Sequence, residues 1–369
     1  MNENIQDQNV SAKPETAASP KSQPASPLIL RAENLYKSFD LEAGFFAKKG
    51  QLVYAVNDIS FDLRRGETLG IVGESGCGKS TAARMLVRMY KPTSGRVLYY
   101  PRQDTKPGAS NDNGLQDQNA GGSLGQDTVP PQNIFEYNKK ALDEYRRKVK
   151  YVFQDPARSL NPRMSAFGVL TDAFRRSPQK PGKEELRALA EKTFLEVGLS
   201  ARHLEKRPSE FSGGQRQRVS IARALIMNPE LLICDEVVSA LDVSIQGQIL
   251  NLLQDLRASK NLSFIFITHD LKVAGWFCDK IAVMYRGVMV EEAPAATLFK
   301  NARHPYTKIL FDGAQGKAQA SNVEVKTTLT KETGCPFAHR CPHAKAECFA
   351  ALPPLRDVAE GHRVRCELG

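Results

Sequence analysis

The chain has 369 residues, 41% of them apolar, and a formal net charge of +10. That is enough for one large core with a small appended unit, while the longest apolar runs, such as 231–234 and 264–267, fall far short of the ~20 residues of a membrane span. No apolar signal segment opens the chain, so a soluble cytosolic protein is expected, whose membrane role would need a partner. The basic balance suits anionic lipid headgroups and a nucleotide as well as a plain solvated surface. No interleaving of basic and aromatic residues supports nucleic acid as a partner.

Residues 1–27 are rich in Gln, Asn, Ser, Ala and Pro and read as a disordered tail. The strand-like run 28–31 opens the folded part. The apolar run 68–72 reads as a buried strand, and a helical pattern covers 82–87. Between them lies Gly73-Glu74-Ser75-Gly76-Cys77-Gly78-Lys79-Ser80-Thr81, which fits the phosphate-binding loop G-x-x-x-x-G-K-[ST] in its required strand–loop–helix setting. Glycines there let backbone N–H groups curl round phosphate oxygens, and the helix start adds partial positive charge. Lys79 can reach the β- and γ-phosphates, and Ser80 can ligate Mg²⁺. A turn at 92–95 and a strand at 96–100 follow. Residues 101–133 then lose all pattern and read as a long flexible insertion. A helix is expected over 138–148 and a strand over 149–153, delivering Gln154-Asp155-Pro156.

Residues 156–211 read as helical, with Leu186, Leu189, Thr193, Phe194 and Val197 on one apolar face and Gly198 as C-cap. Phe211-Ser212-Gly213-Gly214-Gln215 then opens another helix, with Ser212 at the N-cap position. It forms a second anion-binding helix start. The short apolar strand 231–234 ends in Asp235-Glu236. Asp235 is placed to hold a metal, directly or through water, and Glu236 to polarise an attacking water. Ser239-Ala240-Leu241-Asp242 follows. The buried strand 263–268 delivers His269.

Seven cysteines are present. Cys77, Cys234 and Cys278 stand singly and read as inert fillers. Cys335, Cys341, Cys348 and Cys366 crowd the tail, from 311 onward. Disulfides are disfavoured in a reducing compartment. Four thiolates in a loop-rich segment with few core residues point to a metal. The spacing lacks the C-x2-C pairs of common zinc ribbons. A [4Fe–4S] cluster is therefore placed ahead of Zn²⁺, with His339 and His343 as alternative ligands and unligated thiols as the other reading. The site is remote in sequence from every nucleotide motif, so a structural role is expected of it.

On these residues the chain resembles the ATP-binding-cassette (ABC) ATPases. Every landmark occurs in the family's order: Walker A at 73–81, the Q-loop at Gln154, the signature at 211–215, Walker B at 231–236, the D-loop at 239–242, and His269. The resemblance covers roughly 28–310. Asp155-Pro-Ala-Arg-Ser-Leu-Asn-Pro-Arg163, His304-Pro-Tyr-Thr307 and the Cys-rich tail narrow it to the oligopeptide/dipeptide/nickel importer ATPases, in particular the F type of peptide permease ATPase. Phe211 stands where Leu usually begins the signature, and Val237-Val238 where Pro-Thr or Ala-Val is more usual.

The resemblance implies a doubly wound α/β P-loop cassette with an antiparallel β-subdomain, an inserted helical subdomain (156–211) and a small Cys-rich C-terminal extension (311–369). It implies ATP sandwiched between Walker A of one subunit and the signature of the other. Catalysis then falls to Glu236, His269 and Gln154. ATP contacts fall to Phe39, Gly73, Ser75, Gly76, Gly78, Lys79, Ser80, Thr81, Gln154, Ser212, Gly213, Gly214, Gln215 and Asp242, and Mg²⁺ to Ser80, Gln154 and Asp235. Phe39 is where the family places an adenine-stacking aromatic, with Tyr54 as rival. The implied partners are two membrane permease subunits, a second homologous ATPase as heterodimer or homodimer, and indirectly a solute-binding protein. The implied location is the cytoplasmic face of the membrane. Soluble cassette ATPases of DNA repair or translation are the competing class, but those carry long coiled-coil insertions or two cassettes, and this chain has one motif set and no heptad run.

Overall fold

The structure is a computed structural model and describes residues 26–40, 52–102, 130–175, 181–314 and 333–368. The expected tail at 1–27 and insertion at 101–133 lie almost wholly outside the described residues. In chain order the strands are β1 (Leu28–Asp40), β2 (Leu52–Arg64), β3 (Thr68–Val72), β4 (Ser94–Tyr99), β5 (Gln132–Asn133), β6 (Val149–Val152), β7 (Leu231–Asp235), β8 (Ser263–Thr268), β9 (Lys280–Tyr285), β10 (Val288–Pro294), β11 (Arg356–Ala359) and β12 (His362–Val364). The helices are α1 (Lys79–Leu86), α2 (Lys139–Lys148), α3 (Pro156–Ser159), α4 (Ala166–Thr171), α5 (Lys183–Glu196), α6 (Gly213–Leu225), α7 (Val243–Lys260), α8 (Leu271–Phe277), α9 (Ala295–Asn301), α10 (Pro305–Ala314) and α11 (Ala346–Ala350).

One sheet is antiparallel, in the order β2-β1-β4-β5; the other runs β11-β12-β10-β9-β3-β8-β7-β6. Within the second, β9, β3, β8, β7 and β6 are parallel neighbours. Strands buried on both faces read as continuous apolar runs, and alternate side chains go to opposite faces. Leu69, Ile71, Leu231, Ile233, Ile265 and Ile267 therefore pack with α1 and the antiparallel sheet. Val72, Leu232, Cys234, Phe264 and Phe266 pack with α6, α7 and α8. Truncating one of these aromatics, Phe266→Ala for instance, costs about 3–5 kcal/mol by the usual cavity and transfer terms. The described residues between 156 and 211 are helical or turn, without strands. Gly198 takes the left-handed conformation at φ +71°, ending α5 as its position demands.

The tail departs from its sequence reading. It was expected to be poor in core residues; instead it borrows a core from the rest of the chain. Strand β12 pairs with β10, Glu291 opposite Val364, extending the main sheet. Phe337 is buried at 1% exposure, its ring 5.3 Å from Tyr285 and 5.5 Å from Tyr306. Arg365 is buried and donates to the Met289 and Pro353 carbonyls and to Asp58 Oδ2, the last at 3.0 Å. These contacts supply the apolar and polar stitching for which a metal was invoked. Among the described residues, no group of three or more His, Cys, Asp or Glu side chains is placed to hold a metal ion, so the expected iron–sulfur or zinc site finds no support in the geometry. The four cysteines do lie near one another. Burial, then the neighbouring thiols of Cys348, Cys366 and Cys341, push the Cys335 thiol up to about 11.

Where β10 meets α10, burial pushes His304 down to about 4, and its Nδ1 accepts from the Tyr306 amide at 3.1 Å. A base whose folded pKa lies below its unfolded value near 6.5 stabilises the fold fully above pH 6.5. That contribution, about 3 kcal/mol at most, is lost as pH falls from 6.5 toward 4. Urea midpoints should drop across that window. His304→Asn, which keeps an acceptor but does not titrate, should flatten the drop.

Candidate active site

The loops at the C-terminal ends of the parallel strands converge, which is where open α/β sheets bind ligands. Between β3 and α1 the chain folds into a tight cradle. Gly78 sits at φ +106°, and a Cβ there would lie 2.1 Å from the Ala55 carbonyl oxygen. Gly73 is equally constrained by the Met284 carbonyl oxygen, also 2.1 Å from a built Cβ. Only glycine fits either place. No side chain caps the start of α1. Its first-turn amides and the positive end of its dipole are left for an anion. Lys79, 4% exposed, donates from Nζ to the Gly73 and Glu74 carbonyls at 2.8 and 2.9 Å, holding its charge over the loop. Cys77 is pushed up by burial, with Lys79 opposing, as suits an inert thiol.

Asp235, at the end of β7, is 2% exposed. Ser80 Oγ donates to its Oδ1 at 2.8 Å, and Tyr151 from β6 donates to its Oδ2 at 2.5 Å. The hard oxygens of Ser80 and Asp235 fit Mg²⁺, and Gln154 can add an amide oxygen. Bound there with nucleotide, Mg²⁺ would neutralise phosphate charge. Tyr151 was missed by the sequence reading; only the strand register turns its hydroxyl toward β7.

Glu236 adopts φ +48°, a left-handed conformation rare for a non-glycine residue. Such strain persists where the surroundings over-determine it. Here the Glu236 amide donates to the Ile267 carbonyl at 3.0 Å, and Gln154 Nε2 donates to Glu236 Oε2 at 2.8 Å. His269 Nδ1 stands 3.6 Å from Glu236 Oε1. Gln154, Glu236 and His269, delivered by β6, β7 and β8, are thus brought together. A carboxylate beside an amide and an imidazole can accept a proton from water and keep the acceptor anion in place.

Ser212 caps α6 in a reciprocal capping box: its Oγ accepts from the Gln215 amide at 3.3 Å, and Gln215 Oε1 accepts from the Ser212 amide at 3.1 Å. Gly214 lies against Ile245, with a built Cβ 2.7 Å from Ile245 Cγ2. Asp242 precedes α7 without capping it by its side chain, and Val243 beside it is 84% exposed. Phe39 meets Tyr90 edge-on at 5.5 Å. The backbone of its rival Tyr54 lies at the Gly287 turn, whose amide bonds the Cys77 carbonyl at 2.7 Å.

The tail, remote in sequence, reaches this site. Arg340 Nη1 donates to both Glu74 oxygens, the nearer at 3.2 Å, and to the Tyr285 hydroxyl at 3.2 Å. Tyr306 Oη accepts from the Glu74 amide at 3.2 Å. A cleft of about 570 Å³ opens beside them, lined by Glu74, His269, Lys272, Tyr306, Leu310 and Arg340 among others. The tail's Arg340 thus braces the phosphate loop.

The ABC transporter family matches residues 56–239, and the family described as the oligopeptide/dipeptide transporter C-terminal region matches 290–348. A probable peptide ABC transporter ATP-binding protein of Sinorhizobium fredii is 40% identical over 350 residues, 93% of this chain and 90% of its own length. The oligopeptide transport ATP-binding protein AppF of Bacillus subtilis is 39% identical, over 92% of this chain and 97% of its own. The dipeptide transport ATP-binding protein DppF of Escherichia coli is 37% identical, over 92% and 93%. Among solved structures, a dimeric ATP-binding cassette in a post-hydrolysis state with ADP and Pi superposes with a TM-score of 0.57 and 25% identity, covering 72% of this chain and 99% of that one. With both families matched and the relatives aligned nearly end to end, the chain belongs to the ABC transporter family, as an ATP-hydrolysing, ATP-binding subunit of its oligopeptide/dipeptide branch.

Proposed function

We propose that this ATPase powers the import of di- or oligopeptides through a membrane permease, working at the cytoplasmic face as a peripheral subunit. The observation that carries the chemistry is the meeting of Gln154, Glu236 and His269 beside the Asp235–Ser80 pair. Glu236 is the general base for water, His269 and Gln154 hold the γ-phosphate end, and Lys79 and the loop amides take phosphate charge. The peptide substrate rests on the relatives' names. Among the described residues no helix is long and apolar enough to cross a membrane, so translocation falls to two permease subunits. A solute-binding protein delivers the peptide. Two anion-binding helix starts, at α1 and α6, serve one nucleotide when two ATPases face each other, as a heterodimer with a homologous ATPase or as a homodimer. Purified alone, the chain should show weak ATPase activity, raised when permease, partner ATPase and peptide-loaded binding protein are added in liposomes. High activity at every dilution of the lone chain contradicts the shared site. Stimulation by a nickel chelate and not by peptide moves the substrate assignment.

For the four tail cysteines the proposal is a structural metal, iron–sulfur before zinc, which requires the thiols to draw closer together. Its motivation is that the four thiols lie near one another, and a metal cation displaces their protons and offsets the repulsion among the resulting thiolates. Cys341→Ser should then lower the metal content of anaerobically purified protein and weaken assembly, while ATP binding persists. Metal-free protein with four titratable tail thiols removes the site.

A further inference from the structure

We propose that Tyr151 is a positioning residue for the ATPase reaction: its buried phenol fixes the Asp235 carboxylate so that one oxygen is left to Ser80 and the metal-bound nucleotide. The inference rests on the reading of Asp235 as the Mg²⁺-side carboxylate. Asp235 receives two hydroxyl donors, one on each oxygen: Ser80 Oγ at 2.8 Å and Tyr151 Oη at 2.5 Å. A carboxylate held at one oxygen only can still rotate; held at both it has one orientation. Second partners of this kind orient metal-side groups and are worth roughly 10–100-fold in metal affinity.

The surroundings are arranged for this role. Strand alternation sends Val149 and Tyr151 to the α1 face of the sheet and Val152 to the other. β6 lies next to β7 with Val152 opposite Cys234, so the phenol crosses to the neighbouring strand's end. On α1, Arg84 follows Ser80 by one turn and lies beside the same phenol. The phosphate-loop helix therefore bears on Asp235 twice, directly through Ser80 and through Tyr151. Packing alone does not account for the hydroxyl. The Tyr151 ring fills space at 8% exposure and meets Phe153 at 4.8 Å, which a phenylalanine would do equally.

The test is Tyr151→Phe, read by titrating Mg²⁺ into protein with a trinitrophenyl-ATP probe, and again in EDTA. Asp235→Asn and the double variant run alongside. Tyr151→Phe should raise the Mg²⁺ half-saturation about tenfold, the low end of the range because Ser80 still holds one oxygen. Probe binding in EDTA and the thermal midpoint should stay near wild type. In the Asp235→Asn background the same substitution should add nothing, since residues acting as one unit are not additive. An unchanged Mg²⁺ dependence in Tyr151→Phe overturns the inference. So does tighter Mg²⁺ binding, which would make the phenol a competitor of the metal, and so does an equal loss with and without Mg²⁺, which would mark a structural role only. If Asp235→Asn itself leaves Mg²⁺ dependence intact, the underlying reading of Asp235 falls, and that result is distinct from the others.

Discussion

Glu236→Gln is expected to lower ATP turnover by at least ~10²-fold, the low end for a lost general base, while ATP still binds. The substitution removes charge and basicity and little else. A glutamine at 236 keeps an oxygen to accept from Gln154 Nε2, now 2.8 Å away. The left-handed backbone at φ +48° costs glutamine and glutamate alike. Asp235, with its Ser80 and Tyr151 donors, is untouched. The nucleotide should therefore be held without being cleaved, and ATP should drive two subunits into a long-lived closed dimer. Phosphate release in steady state measures the first effect, and gel filtration with ATP the second. Near-normal turnover in this variant sinks the assignment of Glu236 as base.

Much of this site could be read from the chain because its chemistry is local. The phosphate loop needs glycines, a lysine and a helix start within nine residues, and the structure assembles it from that same stretch. Ser212 and Gln215 form their capping box three residues apart. β3, β7 and β8 announce themselves because strands buried on both faces have no polar side to blur the pattern. What escaped depends on direction or on distance. Tyr151 looked like another apolar strand residue, and only register against β7 turns its hydroxyl to Asp235. Arg340 lies 266 residues from Glu74, and no spacing rule links them. The tail's β12 spans His362–Val364, too short for period-two alternation to show, so its docking on β10 was hidden. Composition alone, four cysteines and few apolar residues, pointed to a self-contained metal-stapled unit. It could not show that the tail's core lies in the body of the chain.

That docking depends on a buried carboxylate, and Glu291→Gln should release it, at a cost of about 3 kcal/mol in stability. Glu291 is 0% exposed and accepts three hydrogen bonds. Oε1 takes the Arg303 amide and His362 Nε2, each at 2.7 Å, and Oε2 takes the His304 amide at 2.9 Å. The Arg303 and His304 amides can only donate, one to each oxygen, so a carboxylate satisfies both and an amide does not. Glutamine can keep two of the bonds through its oxygen, but its NH2 must then face the His304 N–H with no acceptor between them. A buried donor left without a partner costs about 1–3 kcal/mol, and loss of the negative charge beside His362 adds to this. The cost should fall on the seam between β10, β12 and the start of α10 more than on the nucleotide core. Limited proteolysis should cut first within 333–368, and the urea midpoint should fall, while nucleotide binding at the phosphate loop survives. Glu360→Gln on the exposed β11–β12 turn is the control, expected within about 0.5 kcal/mol of wild type. If Glu291→Gln is as stable and as protease-resistant as that control, the buried carboxylate is not what fastens the tail to the sheet.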